Sequence, residues 1–275
     1  MRPCLLLALV LGCATPAAAQ VVPDAVRSVD LLAGWREPDG SRIAAIAIDL
    51  APGWYTYWRI PGEAGIAPRF DWSRSRNLAS VAAEWPRPEV FDLYGLESYG
   101  FYDELVLPLR LEPRDPAVPI EVDLALDFGV CDDICMPAAA RVSAMIAPDA
   151  PDEGRARIEA ALAERPANAV DAGVASVTCG LAPAGDGLEL TAEVAFASAP
   201  GQNLVAIIES GQPELWVGRA VIRSEGRTIS ARAPVEALGA GPPILERRSV
   251  RMTLLDDDRA VEVRGCRPRA ETASR

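Results

Sequence analysis

Between Ile120 and Phe128 the chain alternates. Val122, Leu124, Leu126 and Phe128 fall on one face of an extended segment, and Glu121, Asp123, Ala125 and Asp127 on the other. A period of two predicts a strand with one buried face. Arg42–Leu50 alternates weakly, with Ile46 and Ile48 set between Ile43, Ala45, Ala47 and Leu50, as in a strand buried on both faces. Leu105–Leu111 is a further apolar run of strand length. Prolines at 52, 61, 68, 86 and 88, and between 113 and 119, mark sandwich loops and not helices.

Helical spacing occurs once, over Ala156–Glu164, where Ile158, Ala161 and Leu162 share a face. Asp152 is the expected N-cap and Pro166 the stop. Strands then resume. Leu188, Leu190, Ala192 and Val194 alternate with Glu189, Thr191, Glu193 and Ala195. Leu204–Ile208, Val217–Ile222, Thr228–Ala233, Val250–Leu255 and Ala260–Val263 complete a second set. The expected fold is all-β, two immunoglobulin-like β-sandwich domains joined by a short helical linker. Residues 20–147 form the first domain, 148–170 the linker, 171–268 the second domain and 269–275 a disordered tail.

Composition narrows the chemistry. Arg2, the apolar run Cys4–Gly12 and the Ala17-Ala18-Ala19 cleavage site predict a signal peptide over residues 1–19. Acylation of Cys13, giving a lipoprotein, is the alternative. Every later apolar run is interrupted before the eighteen residues a membrane helix needs, so no stable membrane insertion is expected. A net charge of −12 argues against a nucleic-acid partner. The chain has no histidine and no lysine. Ser-His-Asp and Cys-His catalysis, histidine-ligated zinc and Schiff-base chemistry are thereby excluded. Thiols, carboxylates and aromatics remain; neither a cofactor nor a metal is expected.

Four cysteines follow the signal, in an oxidising compartment. Cys131 and Cys135 close so small a ring that their bond excludes little chain entropy, which brings reversible redox chemistry forward. A hairpin with the loop Asp132-Asp133-Ile134 sets the two opposite each other. Opposed strand residues lie about 4.5–5.5 Å apart at Cα, within the range of a disulfide. The carboxylates of Asp132 and Asp133 disfavour a thiolate beside them. Spacing alone leaves three readings open: a redox pair, a local structural clip, and a Cu(I) site of Cys131, Cys135 and Met136. Cys179 and Cys266, 87 residues apart, are expected to form a structural disulfide pinning the first strand of the second domain to its last. Asp256-Asp257-Asp258 lacks the spacing of a calcium loop and is expected at a hairpin tip.

Four segments occur in an informative order: Gly53-Trp54-Tyr55-Thr56-Tyr57-Trp58-Arg59, Phe91-Asp92-Leu93-Tyr94-Gly95, Leu105-Val106-Leu107-Pro108, and Cys131 to Cys135-Met136-Pro137. This order resembles the N-terminal periplasmic domain of the thiol:disulfide interchange protein DsbD, and the string Gly53–Gly65 is similar to the ScsB branch of that family. The resemblance implies a periplasmic thiol:disulfide oxidoreductase, a stoichiometric relay of reducing equivalents. Its donor would be a membrane thiol carrier of the DsbD or CcdA kind. Its acceptor would be a periplasmic thioredoxin-fold protein or peroxiredoxin.

By the same resemblance Cys135 exchanges with partners and Cys131 is the more buried resolving thiol. Tyr55 and Tyr57 flank the disulfide, and Phe91, Leu93, Tyr94 and Gly95 belong to a cap loop, with Leu93 at the position of the cap phenylalanine. The chain departs from the pattern in its shorter cysteine spacing and in lacking the membrane and thioredoxin-like modules, so electrons would come from a separate protein. The competing class is a non-redox β-sandwich binding module, its aromatics forming a ligand surface. Strand alternation alone would send half of Trp54, Tyr55, Tyr57 and Trp58 into the core.

Overall fold

The computed structural model of the protein describes residues 23–93, 95–185 and 187–269. The expected signal peptide, with Cys13, and residues 270–275 of the expected tail lie outside them. In chain order the first half forms β1 (Val26–Arg36), β2 (Arg42–Leu50), β3 (Tyr55–Gly62), β4 (Arg69–Asp71) and β5 (Leu78–Ala83). It continues with β6 (Glu89–Leu93), β7 (Leu96–Tyr102), β8 (Glu104–Pro113), β9 (Ile120–Cys131) and β10 (Cys135–Ile146). These make two antiparallel sheets, ordered β1-β2-β8-β5 and β10-β9-β3-β7-β6, with β4 paired to β9. Between them lies a core that includes Ile46, Trp58, Leu107, Leu124, Leu126 and Phe128. The alternation of β9 is realised: Val122, Leu124, Leu126 and Phe128 are buried, while Glu121 and Asp127 are exposed.

The second half begins with α1 (Arg155–Ala163) and continues with β11 (Ala167–Asn168), β12 (Val174–Ala184), β13 (Gly187–Phe196), β14 (Val205–Glu209) and β15 (Leu215–Val217). Then come β16 (Val221–Glu225), β17 (Thr228–Ala237), β18 (Arg251–Leu255), β19 (Ala260–Arg264) and β20 (Arg267–Pro268). Two further sheets result, ordered β11-β19-β18-β14 and β15-β17-β13-β12-β20, with β16 on β17. The described chain is thus a pair of β-sandwiches with one helix between. The run expected as a single strand over Val217–Ile222 is split at Gly218–Ala220, where Trp216 folds back so closely that a Cβ on Gly218 would stand 2.7 Å from its ring.

The double burial of β2 has a specific cause. Ala44, Ile46 and Ile48 face the main core, whereas Ile43 and Ala45 pack with Ile158 of α1 and with Val106. The helix therefore covers the outer face of the first sheet. Arg42, 3 % exposed, ties down the segment leading to it by donating to Ala33 O, Gly34 O, Ala150 O and Pro151 O. Asp152 is not the N-cap. Gly154 stands there at φ 67° with no side-chain cap, and Asp152 instead pairs with Arg155 at 2.5 Å.

Asp256, at the β18–β19 turn, is nearly buried and accepts from the amides of Gly201, Asp258 and Arg259 and from the Arg259 guanidinium. Burial opposes its ionisation, and these hydrogen bonds outweigh burial, so its carboxyl lies below the usual range.

The sandwiches meet along β3. Arg59, mid-strand and largely buried, donates to Glu209 at 2.8 Å and Glu262 at 2.9 Å, with Thr253 Oγ1 at 3.2 Å and the Trp58 ring 3.7 Å beneath the guanidinium. Ile207, Leu255 and Ala260 of the second sandwich join the first core beside this pair.

Cys179 on β12 is bonded to Cys266, immediately before β20, with Cα atoms 5.6 Å apart. In the loop-entropy account a closed loop of this length stabilises by about 4–5 kcal/mol. Urea unfolding of a Cys179→Ser/Cys266→Ser variant is expected to show a loss of about that size; a loss below about 1 kcal/mol would show that the bond does not staple the fold.

Candidate functional site

The β9–β10 hairpin places Cys131 opposite Cys135 in register, closed by Asp132, Asp133 and Ile134. The two are disulfide-bonded, with Cα atoms 4.2 Å apart. The spacing explains the pairing, because β10 is an edge strand where Pro137 needs no ladder N–H. Burial separates the sulfurs: Cys131 is wholly buried and Cys135 is exposed. Asp132 and Asp133 stand exposed at the tip beside Ile134, which is 72 % exposed.

Strand β3 runs next to β9, with Tyr55 opposite Cys131 and Thr56 opposite Val130. Its alternation sends Thr56 and Trp58 inward and Tyr55 and Tyr57 to the other face, which is covered too. There Tyr55, Tyr57, Phe91 and Cys131 form their own buried cluster. Ring centroids lie 4.8 Å apart for Tyr55 and Phe91, and 4.7 Å for Phe91 and Tyr102. The expectation that half of the β3 aromatics serve the main core fits Trp58, with Trp54 packed partly against it.

Tyr57 makes the closest contact to the disulfide. Its Oη lies 2.8 Å from Cys131 Sγ, 3.0 Å from Cys135 Sγ and 3.1 Å from Ala64 O. Two glycines make room for the ring: a Cβ on Gly65 would lie 2.6 Å from it, and one on Gly129 2.9 Å. Burial pushes the Tyr57 phenol up, and burial together with the neighbouring Tyr57, Tyr102 and Asp132 pushes Tyr55 up. Both stay protonated, so Tyr57 is a donor with one proton and three acceptors. Tyr55 Oη is buried with no well-placed hydrogen-bond partner among the described residues.

The expected cap loop divides. Phe91 sits at 6 % exposure in the cluster with Tyr55, Tyr57 and Cys131, and a Cβ on Gly100 would lie 3.1 Å from its ring. Gly95 occupies the β6–β7 turn at φ +88°, its amide donating to Asp92 Oδ1 at 2.8 Å. Leu93 is placed by its backbone as the last residue of β6, and Tyr94 lies outside the described residues. Beside the disulfide is a cleft of about 490 Å3 lined by Tyr55, Ala64, Asp92, Leu96, Asp132, Asp133 and Cys135.

The Cu(I) grouping is not assembled. Met136 pairs with Val130 in the ladder and packs against the main core, on the opposite face from Cys135. Among the described residues no group of three or more His, Cys, Asp or Glu could hold a metal. Cys179 and Cys266 belong to the other sandwich and take no part in this site. Ala64, Gly65, Asp92, Leu96 and Gly129 join the site without having been singled out in the sequence. Gly65 closes the quoted Gly53–Gly65 string, and its spacing from Tyr57 was the available signal.

Residues 27–147 match the family model described as "Thiol:disulfide interchange protein DsbD, N-terminal". Comparison with curated proteins returns no match. Among solved structures, the N-terminal periplasmic domain of ScsB from Proteus mirabilis is similar in fold. Its TM-score is 0.65 at 19 % identity, covering 88 % of this chain and 92 % of that one.

Two measurements follow from the site. A Tyr57→Phe variant keeps the ring and loses the donor, so the Cys131 thiol of the reduced protein is expected to rise by about one pKa unit, ~1.4 kcal/mol; the pH dependence of alkylation reads this. An Asp132→Asn/Asp133→Asn variant should react about two- to fivefold faster with anionic glutathione, relative to cationic cysteamine, in dilute salt. The same ratio in the variant and the wild type would remove the carboxylates from the account.

Proposed function

Residues 27–147 belong to the DsbD N-terminal domain family, and from that premise we propose that the protein is a periplasmic thiol:disulfide oxidoreductase working through Cys131 and Cys135. The observation that carries this is the asymmetry of the pair: one sulfur exposed at a cleft, the other buried against a phenol. A structural clip has no need of either. On this reading residues 20–147 form the exchange domain, 148–170 the linker and 171–268 a second domain.

The steps balance as follows. A donor thiolate attacks Cys135 Sγ, and the bond to Cys131 breaks. Cys131 departs with the electron pair, beside Tyr57 Oη. The phenol then turns its single proton from Ala64 O to the thiolate, a far stronger acceptor than a disulfide sulfur. The donor's second thiol attacks its own bonded sulfur and frees Cys135. Donor dithiol has become disulfide, and this protein holds two reduced cysteines. In the reverse sense Cys135 attacks an acceptor disulfide and Cys131 resolves the mixed species. A membrane thiol carrier is the donor on this reading, and a periplasmic thioredoxin-fold protein or peroxiredoxin the acceptor. Among the described residues no helix is long and apolar enough to cross a membrane.

Redox titration with mass-spectrometric thiol trapping tests the reading. Cys131–Cys135 is expected to reduce at a potential above about −300 mV, and Cys131→Ala to accumulate a mixed disulfide through Cys135. A pair that stays oxidised well below that potential, as structural disulfides do, would falsify the proposal.

A further inference from the structure

Arg219 of the second sandwich reaches the wall of the disulfide site. Arg219, in the Gly218–Ala220 break between β15 and β16, lies 3.0 Å from Glu97 and 3.9 Å from Glu63 of the first sandwich. Those two glutamates are already joined. The Glu63 amide donates to Glu97 O at 2.8 Å, the Glu97 amide donates to Glu63 Oε2 at 3.0 Å, and Tyr99 Oη hydrogen-bonds the Glu97 carboxylate.

Each glutamate is the sequence neighbour of a cleft residue. Ala64 follows Glu63, and Leu96 precedes Glu97; Ala64 and Leu96 both line the cleft at Cys135. Leu96 and Glu97 are adjacent on β7 and point to opposite faces, so the outward side of this strand is presented to the second sandwich while its other side lines the cleft. Ala64 also supplies the carbonyl that shares the Tyr57 proton. Gly62 fixes the wall's hinge: at φ +89°, a Cβ there would stand 2.2 Å from Glu97 O. Next to Arg219 an apolar seam of about 420 Å3, lined by Ile60, Tyr99, Trp216 and Gly218 among others, separates the two sandwiches. The halves have room to shift there.

We propose that Arg219 is a positioning residue for the disulfide. From the second sandwich it holds the Gly62–Gly65 loop and the β6–β7 hairpin together as one wall of the cleft, and so sets how open the approach to Cys135 is. This gives the second sandwich a part in the reaction, and it rests on the thiol-exchange reading. Arg219 is 48 % exposed and Glu97 13 %, so the contact is weak enough to be released when a partner docks.

The test compares the oxidised wild-type protein with Arg219→Ala, Arg219→Lys and Arg59→Met. Each is followed for its rate of reduction by dithiothreitol and for amide hydrogen exchange over residues 62–65 and 95–98. Arg219→Ala is expected to be reduced about three- to tenfold faster and to exchange faster in those two segments. Arg219→Lys should recover part of the difference. Arg59→Met loosens the contact between sandwiches without touching the wall and should leave the rate near wild type. An unchanged rate and unchanged exchange in Arg219→Ala would overturn the proposal, as would an equal acceleration in Arg59→Met, which would indicate general loosening. A wild-type disulfide that resists dithiothreitol would instead sink the exchange reading. Hydrogen exchange would still decide whether Arg219 holds the wall.

Discussion

The site depends on one strand having two covered faces. Along β3, Thr56 and Trp58 point into the sandwich core while Tyr55 and Tyr57 point at the disulfide, and Arg59 meets the second sandwich. A period of two makes these assignments inseparable. Slipping β3 by one residue against β9 would put Trp58 over the sulfurs and a phenol in the hydrocarbon core. The tight ladder, with Thr56 Oγ1 donating to Gly129 O at 2.8 Å, resists that slip. The precision of the Tyr57 contact is therefore inherited from the packing of Trp58 on the reverse face.

The same constraint explains the glycines. A phenol can reach both sulfurs of a hairpin disulfide only if its ring lies flat along the neighbouring strand, and a β-carbon at Gly129 or Gly65 would occupy that space. In this space Tyr57 is wholly buried. Its hydrogen bonds are the protein's own, and a buried donor without an acceptor costs about 1–3 kcal/mol. Ala64 O fills that need while the sulfurs are bonded to each other and accept poorly. On the thiol-exchange reading, oxidation state and loop contact would be coupled through one proton.

Much of this was legible in the chain, and the limits have physical causes. The cysteine spacing implied both the hairpin and the facing register, because a three-residue loop leaves few alternatives. The weak alternation of Arg42–Leu50 signalled a strand covered on both sides. It did not identify α1 as the cover, since Ile158 meets Ile43 only through a long-range fold. The cap was read by family position, which drew attention to Leu93, whereas Phe91 enters the aromatic cluster because Gly100 leaves space opposite it. Arg219 and Glu97 carried no local signal, and Arg59 and Glu63 entered only as members of the quoted Gly53–Gly65 string. Ion pairs between sandwiches depend on relative placement, and no periodicity encodes that.

On the thiol-exchange reading, access to the exposed Cys135 is only one restraint on the exchange. Exchange rate depends on the leaving thiol as much as on the attacked sulfur. Here the leaving sulfur is Cys131, which is wholly buried, so the charge it acquires is poorly solvated, and the exposed carboxylates of Asp132 and Asp133 add repulsion that water and salt only partly screen. Against these stands a single donor, Tyr57 Oη. The balance makes Cys131 a reluctant leaving group for a stray thiol. On the same reading a docked partner would change it by covering the tip and supplying its own charges. On that reading, selectivity for partners lies in making cleavage unfavourable until something binds there, together with the wall that borders Cys135.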